Sequence, residues 1–293
     1  MTLDEGVALS RFTTLGTGGP ARAFARLETL EELEAALAWA GERELPVATI
    51  GLGSNLLVAD EGFDGLVLKL GGELAEATVE EERLLAGGGA TNAVCLHRAR
   101  DAGLGGLEFA CAIPGTAGGG VVMNAGAYGR DWSSVLRRAL VVSADGHEWR
   151  TPEQLGLEYR HSELRPGEVV AQVEFGLDAR SPDEIKATVA ELVARRKETQ
   201  PTNKRTFGSV FKNPDGELGA GRMLELCGLK GHRIGGAMIS PKHANFIENA
   251  GGATSADCLA LIGEARRRAQ EQFAVELERE VVFLGRLELP PLT

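Results

Sequence analysis

Three clusters of glycine constrain this chain more than any other feature of its sequence. They are GTGGPA at 16–21, GLGSN at 51–55 and IPGTAGGGVVMNAGAYG at 113–129, in a chain with 39 glycines among 293 residues. Glycine loops let backbone N–H groups converge on phosphate oxygens, because a side chain would block the approach. For any single cluster taken alone, tight turns are the better explanation. Three clusters flanked by strand-like runs favour a large phosphorylated ligand.

The two standard nucleotide-binding motifs are missing from these loops. GLGSNL has leucine where the pattern G-x-G-x-x-G needs its third glycine, and no G-K-[ST] sequence occurs. The clusters therefore favour neither a Rossmann fold nor a P-loop.

Composition and charge exclude several classes of function. A net charge of -11 argues against nucleic acid as a partner, since such proteins carry a basic surface. No apolar run approaches the roughly 20 residues that span a bilayer, and the N-terminus lacks a signal-peptide pattern. We expect a cytoplasmic protein with no membrane attachment and no obligate protein partner.

The four cysteines indicate neither a metal site nor a dithiol redox site. Cys95, Cys111, Cys227 and Cys258 are far apart in sequence and form no C-x-x-C pair. We expect core thiols and no bound metal.

The segment from Gln200 to Ala250 is basic within this acidic chain. It holds seven Lys or Arg and four Asp or Glu, a local charge of +3. Since the chain as a whole repels anions, we expect an anionic ligand to be held here.

The order of helix and strand patterns predicts a mixed α/β and α+β protein. We expect helices at 30–40, with Thr29 and Glu32 as a capping box and Gly41 ending the helix, at 91–102, from Pro182, at 220–227 and at 254–273. Asp178–Ser181 is the best candidate for a linker. We expect three parts, 1–70, 71–178 and 181–275, with the strand in 276–293 returning to the first part.

Long stretches of the sequence resemble the UDP-N-acetylenolpyruvoylglucosamine reductases. FTTLGTGGPA, GLGSNLLVADEGFDGLVLKL and GLEFACAIPGTAGGGVVMNAGAYG look like successive signatures of this family. LEYRHSEL, FGSVFKNP, GLKGHRIGGAMISPKHANFIENAGGAT and ELEREVVFLG continue the similarity over nearly the whole chain. The resemblance implies a two-subdomain FAD-binding fold of the vanillyl-alcohol-oxidase type and a separate α/β substrate domain.

The resemblance also implies the activity and the cofactors. It implies reduction of an enolpyruvyl nucleotide sugar to UDP-N-acetylmuramate for peptidoglycan and cell-wall synthesis, with NADPH as co-substrate and FAD between the two reactants. We expect noncovalent FAD, although Cys111 could form a covalent link. The implied FAD contacts are Gly51, Gly53, Ser54, Asn55, Gly115, Thr116, Gly119, Asn124, Gly126 and Ala127.

The family's catalytic residues match Arg160 in YRHS, Ser209 in GSVFKN and Glu280 in LEREV. Hydride addition to the vinyl carbon builds negative charge on the substrate carboxylate, which the guanidinium of Arg160 would stabilise. Ser209 would then donate a proton to the second carbon. Glu280 would lie beside the substrate carboxylate and help Arg160 to polarise it.

The substrate diphosphate fits the basic segment. We expect substrate contacts from Tyr159, Lys212, Asn213, Arg222, Lys242 and His243, with Lys230 and Arg233 as weaker candidates. Some family members carry a loop whose tyrosine closes over the substrate. The stretch between Gly167 and Pro214 is too short for it, so the chain resembles the shorter subtype.

Two alternatives stay open at the level of sequence. One is an oxidase of the same flavoprotein superfamily that acts on an alcohol or hydroxy acid, which GSVFKN and KHANFIENAGG disfavour. The other is a regulator that binds flavin or nucleotide sugar without catalysis, which the intact residues Arg160, Ser209 and Glu280 disfavour.

Overall fold

Five of the six α-helices among residues 1–292 lie where sequence patterns predict them, and the short helix at 117–122 was not predicted. The structure is a computed structural model that describes residues 1–292. The α-helices among these residues are Leu30–Gly41 (α1), Asn92–Asp101 (α2), Ala117–Val122 (α3), Pro182–Thr199 (α4), Ala220–Leu226 (α5) and Ser255–Phe273 (α6).

Side-chain caps explain where several helices begin. The hydroxyl oxygens of Thr29, Thr91 and Thr254 each accept a backbone N–H from the first turn of α1, α2 and α6. In α6 the box is complete, because Asp257 also accepts the N–H of Thr254. In α1 the carboxylate of Glu32 instead accepts the N–H of Glu28 at 2.8 Å, one residue earlier than a capping box requires.

The strands form three larger sheets and several short pairs. They are Leu3–Ala8 (β1), Pro20–Leu27 (β2), Val47–Thr49 (β3), Leu56–Val58 (β4), Phe63–Leu70 (β5), Ala77–Glu80 (β6), Arg83–Gly87 (β7), Leu104–Gly105 (β8), Gly126–Ala127 (β9), Arg130–Asp131 (β10), Leu136–Ser143 (β11), Gly146–Arg150 (β12), Val169–Gly176 (β13), Asp178–Ala179 (β14), Thr206–Ser209 (β15), Arg233–Ile234 (β16), Ala237–Ile239 (β17), Phe246–Asn249 (β18) and Val282–Leu284 (β19).

The sheets differ in strand order and in strand direction. One sheet has the order β1-β2-β5-β3, with β3 parallel to β5. A second, antiparallel sheet has the order β12-β11-β13-β7-β6. A third has the order β15-β18-β17-β16, and β19 pairs in parallel with β4.

The chain divides into two compact units, each made of several stretches of sequence. The first unit comprises Met1–Glu5, Ala23–Leu52 and Gly65–Arg196, and the second comprises Gly6–Arg22, Gly53–Asp64 and the chain from Lys197. The division into three parts, 1–70, 71–178 and 181–275, stays a prediction, because these two units do not correspond to it one to one.

Each unit has its own apolar core. In the first unit, Leu33, Ala36 and Leu37 of α1 are buried against residues of β5, β11 and β13. Trp132 lies in a second apolar cluster of the same unit. The Trp132 ring meets Phe109 and Phe175 edge-on, with ring centres 5.5 and 6.0 Å apart. The second unit is built around α6.

Neither a membrane-spanning helix nor a metal-binding cluster is present among residues 1–292. No helix there is both long and apolar enough to cross a bilayer, and no three His, Cys, Asp or Glu side chains are grouped to hold an ion. All four cysteines are free thiols. Cys95 and Cys258 are buried, and burial raises the pKa of each to about 12.

A buried carboxylate, Glu168, joins the loop before β13 to the edge strand β12. Nη1 and Nη2 of Arg150 donate to its two carboxylate oxygens at 2.9 and 2.8 Å, and the backbone N–H of Arg165 donates to it at 2.8 Å. Its side chain is 3% exposed. The hydrogen bond from Arg150 is the main reason that the pKa of Glu168 falls from 4.5 to about 2.

Glu168→Gln should destabilise the protein strongly. The change leaves a largely buried Arg150 without its main counter-ion, which typically lowers the free energy of unfolding by about 3–5 kcal/mol. Urea unfolding measures this. Glu148→Gln is the matched control, because Glu148 also bonds Arg150 but is 65% exposed, so its loss should cost about 0–1 kcal/mol.

Acid stability should depend on the same carboxylate. A depressed pKa stabilises the fold above the ordinary value of 4.5, and that stability is lost as the pH falls from 4.5 through about 2. Wild-type stability should therefore fall more steeply across this window than that of Glu168→Gln. If the free energy of unfolding, measured in urea at each pH, falls equally steeply for both proteins, Glu168 is not the source of the acid sensitivity.

Candidate active site

Arg160 is held in a defined position in the first unit. Its backbone has φ of 54°, in the left-handed region that non-glycine residues rarely adopt. Its Nη2 donates to the carbonyl of Gly126 at 2.6 Å, and its guanidinium carbon lies 5.0 Å from the ring centre of Tyr159. These contacts fix a half-buried cation.

A buried amide supports the loop of Arg160. Asn124 is 2% exposed. Its Nδ2 donates to the carbonyl of Glu158 at 2.9 Å, and its Oδ1 accepts the N–H of Ser133 at 2.9 Å. The adjoining Gly126 and Ala127 form β9, which pairs with β10. The side chain of Asn124 thus binds the protein's own backbone.

Two of the glycine clusters meet in the first unit. A Cβ on Gly51 would lie 2.7 Å from Oγ1 of Thr116, so the two loops are in direct contact. The hydroxyl of Thr116 accepts the N–H of Gly119 at 3.3 Å and caps α3. The carbonyl of Gly115 accepts the N–H of Asn92 at 3.0 Å.

The glycines of GTAGGG have different roles. A Cβ on Gly118 would lie 2.9 Å from the carbonyl oxygen of Gly88, and one on Gly120 would lie 2.3 Å from Cε2 of Trp132. These two glycines are required for close packing within the protein. Gly119 is exposed, and a Cβ there would meet nothing closer than 3.4 Å. Of these three glycines, only Gly119 leaves its surface open to a ligand.

Ser209 and Glu280 lie on paired backbone segments of the second unit. Ser209 is the last residue of β15. Val210 follows it directly, and its carbonyl accepts the N–H of Glu280 at 2.8 Å. The N–H of Lys212 donates to the carbonyl of Glu278 at 2.9 Å and continues this pairing. The structure thus brings together two of the three predicted catalytic residues.

The GLGSN loop also contributes to this second-unit region. Nδ2 of Asn55 donates to the carbonyl of Glu280 at 3.2 Å, and the carbonyl of Asn55 accepts the N–H of Val282 at 3.0 Å. A Cβ on Gly53 would lie 2.0 Å from the carbonyl oxygen of Phe12, and one on Gly208 would lie 3.2 Å from that of Ser54. Asn55 therefore positions the backbone of Glu280.

The predicted phosphate contacts already have partners within the protein. Nζ of Lys212 lies 2.7 Å from Glu278, a side chain that is 71% exposed. Arg222 and Lys230 share Glu225, at 3.0 and 2.9 Å. A substrate phosphate would compete with exposed carboxylates for these cations.

The other predicted contacts that bond within the protein do so to neutral backbone groups. Oδ1 of Asn213 accepts the N–H of Ala220 at the start of α5, at 3.1 Å. Lys242 donates to the carbonyl of Lys197, and Nε of Arg233 donates to that of Gly235 at 2.9 Å. Burial lowers the pKa of His243, so its imidazole is neutral near pH 7.

Comparison with known proteins identifies the family. Residues 21–152 match the family described as FAD binding domain, and residues 200–284 match the C-terminal domain of UDP-N-acetylenolpyruvoylglucosamine reductase. A reductase of this name from Symbiobacterium thermophilum is 44% identical over 279 residues, which cover 94% of this chain and 90% of that protein. This chain belongs to the UDP-N-acetylenolpyruvoylglucosamine reductase family. The reductase from Bacillus licheniformis is 41% identical over 285 residues, which cover 96% of this chain and 93% of that protein.

A solved structure agrees with the sequence comparison. The crystal structure of UDP-N-acetylenolpyruvylglucosamine reductase from Thermus caldophilus superposes with a TM-score of 0.84 at 39% identity, covering 97% of this chain and all of that one. The predicted family and fold class, an α/β and α+β FAD-binding fold with a separate C-terminal domain, are confirmed.

The residues of this reductase fit an FAD diphosphate. In the first unit Gly51 packs directly against Thr116, and the surface of Gly119 beside them is open to a ligand. Lys69, which no sequence motif singles out, donates from its ammonium group to the carbonyl of Gly51. It has no carboxylate partner among residues 1–292, and burial lowers its pKa. A half-buried cation in this position suits an anionic ligand.

In this reductase, Gly126→Ala should displace Arg160 and reduce turnover. The added Cβ would lie 2.6 Å from the carbonyl oxygen of Arg130 and 3.1 Å from Nη1 of Arg160. A displacement of about 1 Å typically costs on the order of 100-fold in rate. Steady-state assays measure this, with Gly41→Ala as the control, since its Cβ would meet only Ala144 at 3.7 Å. Full activity of Gly126→Ala would show that the Gly126 contact is dispensable.

Proposed function

We propose that the protein reduces UDP-N-acetyl-3-O-(1-carboxyvinyl)-glucosamine to UDP-N-acetylmuramate, with bound FAD and with NADPH as the hydride donor. This is a step in the synthesis of peptidoglycan precursors. The observation that carries the proposal is the similarity to reductases of this name over 94–97% of the chain, which includes an FAD-binding domain. FAD, when bound, supplies hydride transfer between the two substrates.

Arg160 would stabilise the charge that develops during the reaction. Hydride addition to the terminal vinyl carbon moves electron density onto the adjacent carbon and its carboxylate. A fixed, planar guanidinium lowers the energy of this negative charge because it needs little reorganisation. The hydrogen bond to Gly126 and the contact with Tyr159 supply that fixed position.

Ser209 would donate the proton that completes the reduction. A hydroxyl is a weak acid, so its site must stabilise or quickly reprotonate the oxyanion. Glu280, on the backbone segment paired with Val210, would lie beside the substrate carboxylate. One of two adjacent carboxyl groups tends to hold a proton, and a protonated Glu280 would help Arg160 to polarise the substrate.

The remaining assignments follow the same proposal. FAD would contact the residues predicted from GLGSN, IPGTAGG and NAGAYG, without a covalent link. Tyr159 and the basic segment would contact the nucleotide sugar. We infer a cytoplasmic enzyme with no nucleic acid, membrane or obligate protein partner, in which 1–70 and 71–178 bind FAD and 181–275 bind the substrate.

Product analysis tests the proposed function. Purified protein with FAD, NADPH and the enolpyruvyl nucleotide sugar should oxidise one NADPH per sugar and yield a product heavier by two hydrogens. A superfamily oxidase would instead oxidise an alcohol and consume oxygen. A regulator would bind ligand without turnover.

Lys212→Ala should weaken substrate binding more than it slows reduction of the enzyme by NADPH. Loss of one charge-assisted contact costs on the order of 1.5–3 kcal/mol, or about 10- to 150-fold in the dissociation constant. Arg222→Ala should act similarly. Titration with the nucleotide sugar measures both variants.

Glu278→Gln is the control for Lys212, because it releases the same lysine without removing its charge. It should bind substrate at least as tightly as wild type. If Lys212→Ala and Arg222→Ala both bind normally, the phosphate site lies elsewhere in the basic segment.

A further inference from the structure

A buried asparagine in the KHANFIEN motif bonds directly to the strand that continues from Ser209. Asn245 is 4% exposed. Its Oδ1 accepts the N–H of Phe211 at 3.0 Å, and its Nδ2 donates to the carbonyl of Phe211 at 2.8 Å. A side-chain amide therefore pairs with both peptide groups of one residue, as a neighbouring strand would.

The sheet cannot supply these two bonds in another way. Strand β18 begins at Phe246, so the regular pairing with β15 ends beside Ser209. On the other side of Phe211, the segment of Glu278 and Glu280 pairs with Lys212 and Val210. The N–H and carbonyl groups of Phe211 point away from that segment and form hydrogen bonds with the side chain of Asn245.

The backbone around Ser209 is irregular and needs such support. The register shifts between Thr206 and Ser209, and Gly208 has φ of 82°. The carbonyl of Asn245 accepts the N–H of Val210 at 2.9 Å, which adds a third bond to the two on Phe211. Three polar groups of one residue thus fix the two residues that follow Ser209.

Asn245 is itself held rigidly. Its N–H donates to Nδ1 of His243 at 3.2 Å, and the hydroxyl of Ser240 accepts the N–H groups of Lys242 and His243. Because this turn holds Asn245 in place, its bonds also hold Val210 and Phe211 in place.

We propose that Asn245 is a positioning residue that holds the Ser209 hydroxyl in line for proton transfer to the substrate. The proposal rests on the proposed function, in which Ser209 is the proton donor. Asn245 acts through the backbone of Val210 and Phe211, without itself touching substrate.

The test compares the two half-reactions by stopped flow on the FAD-loaded enzyme. Asn245→Ala should slow reoxidation by the enolpyruvyl sugar at least ~10-fold and leave reduction by NADPH within ~2-fold of wild type. In a Ser209→Ala background, Asn245→Ala should slow reoxidation by less than ~2-fold further, because its effect passes through Ser209.

Asp257→Ala is the matched control. Oδ2 of Asp257 accepts the backbone N–H groups of Gly236 and Thr254, so this side chain also ties two segments of the second unit. It has no bond to the strand of Ser209 among residues 1–292. It should lower the melting temperature without a selective effect on reoxidation.

Asn245→Asp provides a second variant if Asn245→Ala folds poorly. A protonated carboxyl can donate to the carbonyl of Phe211 as the amide does, so its reoxidation rate relative to wild type should rise as the pH falls. Equal slowing of both half-reactions, or the same loss with and without Ser209, would overturn the positioning role. If Ser209→Ala alone reoxidises normally, the proton-donor assignment fails separately.

Discussion

Replacement of Ser209 by alanine should leave reduction by NADPH near the wild-type rate and slow reoxidation by the enolpyruvyl sugar by about 10²- to 10⁴-fold. Only the second half-reaction delivers a proton to carbon, and general acid catalysis is worth a factor in this range. Anaerobic stopped-flow traces of each half-reaction measure the two rates separately.

Cysteine at position 209 supplies the control for this prediction. A thiol is a stronger acid than a hydroxyl, with an ordinary pKa of about 8.5, so Ser209→Cys should recover part of the rate. Equal slowing of both half-reactions by Ser209→Ala would show instead that Ser209 supports the cofactor site.

Arg160→Lys should lower turnover by about 10²- to 10³-fold, the usual effect of removing one preorganised charge donor from a transition state. Lysine keeps the charge but loses the planar group that bonds Gly126 and faces Tyr159. The loss should lie mainly in reoxidation, where the substrate carboxylate gains charge.

Arg43→Lys is a matched control, because the Arg43 guanidinium lies 4.6 Å from the ring centre of Trp39 at the end of α1. It should leave both half-reactions unchanged. A near-normal reoxidation rate for Arg160→Lys would mean that another group stabilises the carboxylate.

Local signals allowed the helices to be predicted from sequence. Thr29 and Thr254 cap α1 and α6 as their sequence positions suggest, because a cap depends on residues only three apart. The predicted bond of Glu32 was wrong, since its carboxylate bonds Glu28, and helix α3 was not predicted. A local sequence pattern does not decide which of two adjacent backbone N–H groups such a carboxylate will bond.

The contacts that individual site residues make could not be predicted from sequence. Gly118, Gly119 and Gly120 are alike in sequence, yet two pack against Gly88 and Trp132 and one remains open. These distinctions arise from contacts between distant parts of the chain. The same holds for Asn245 and Lys69, whose partners Phe211 and Gly51 are remote in sequence.

The absorption spectrum of the purified protein tests the central claim most directly. FAD-loaded protein should be yellow, lose its visible absorption on anaerobic titration with one equivalent of NADPH, and regain it on addition of the enolpyruvyl nucleotide sugar. Acid denaturation should release the flavin into solution. Protein that cannot be reconstituted with FAD, or that stays bleached after the sugar is added, would contradict the proposed function.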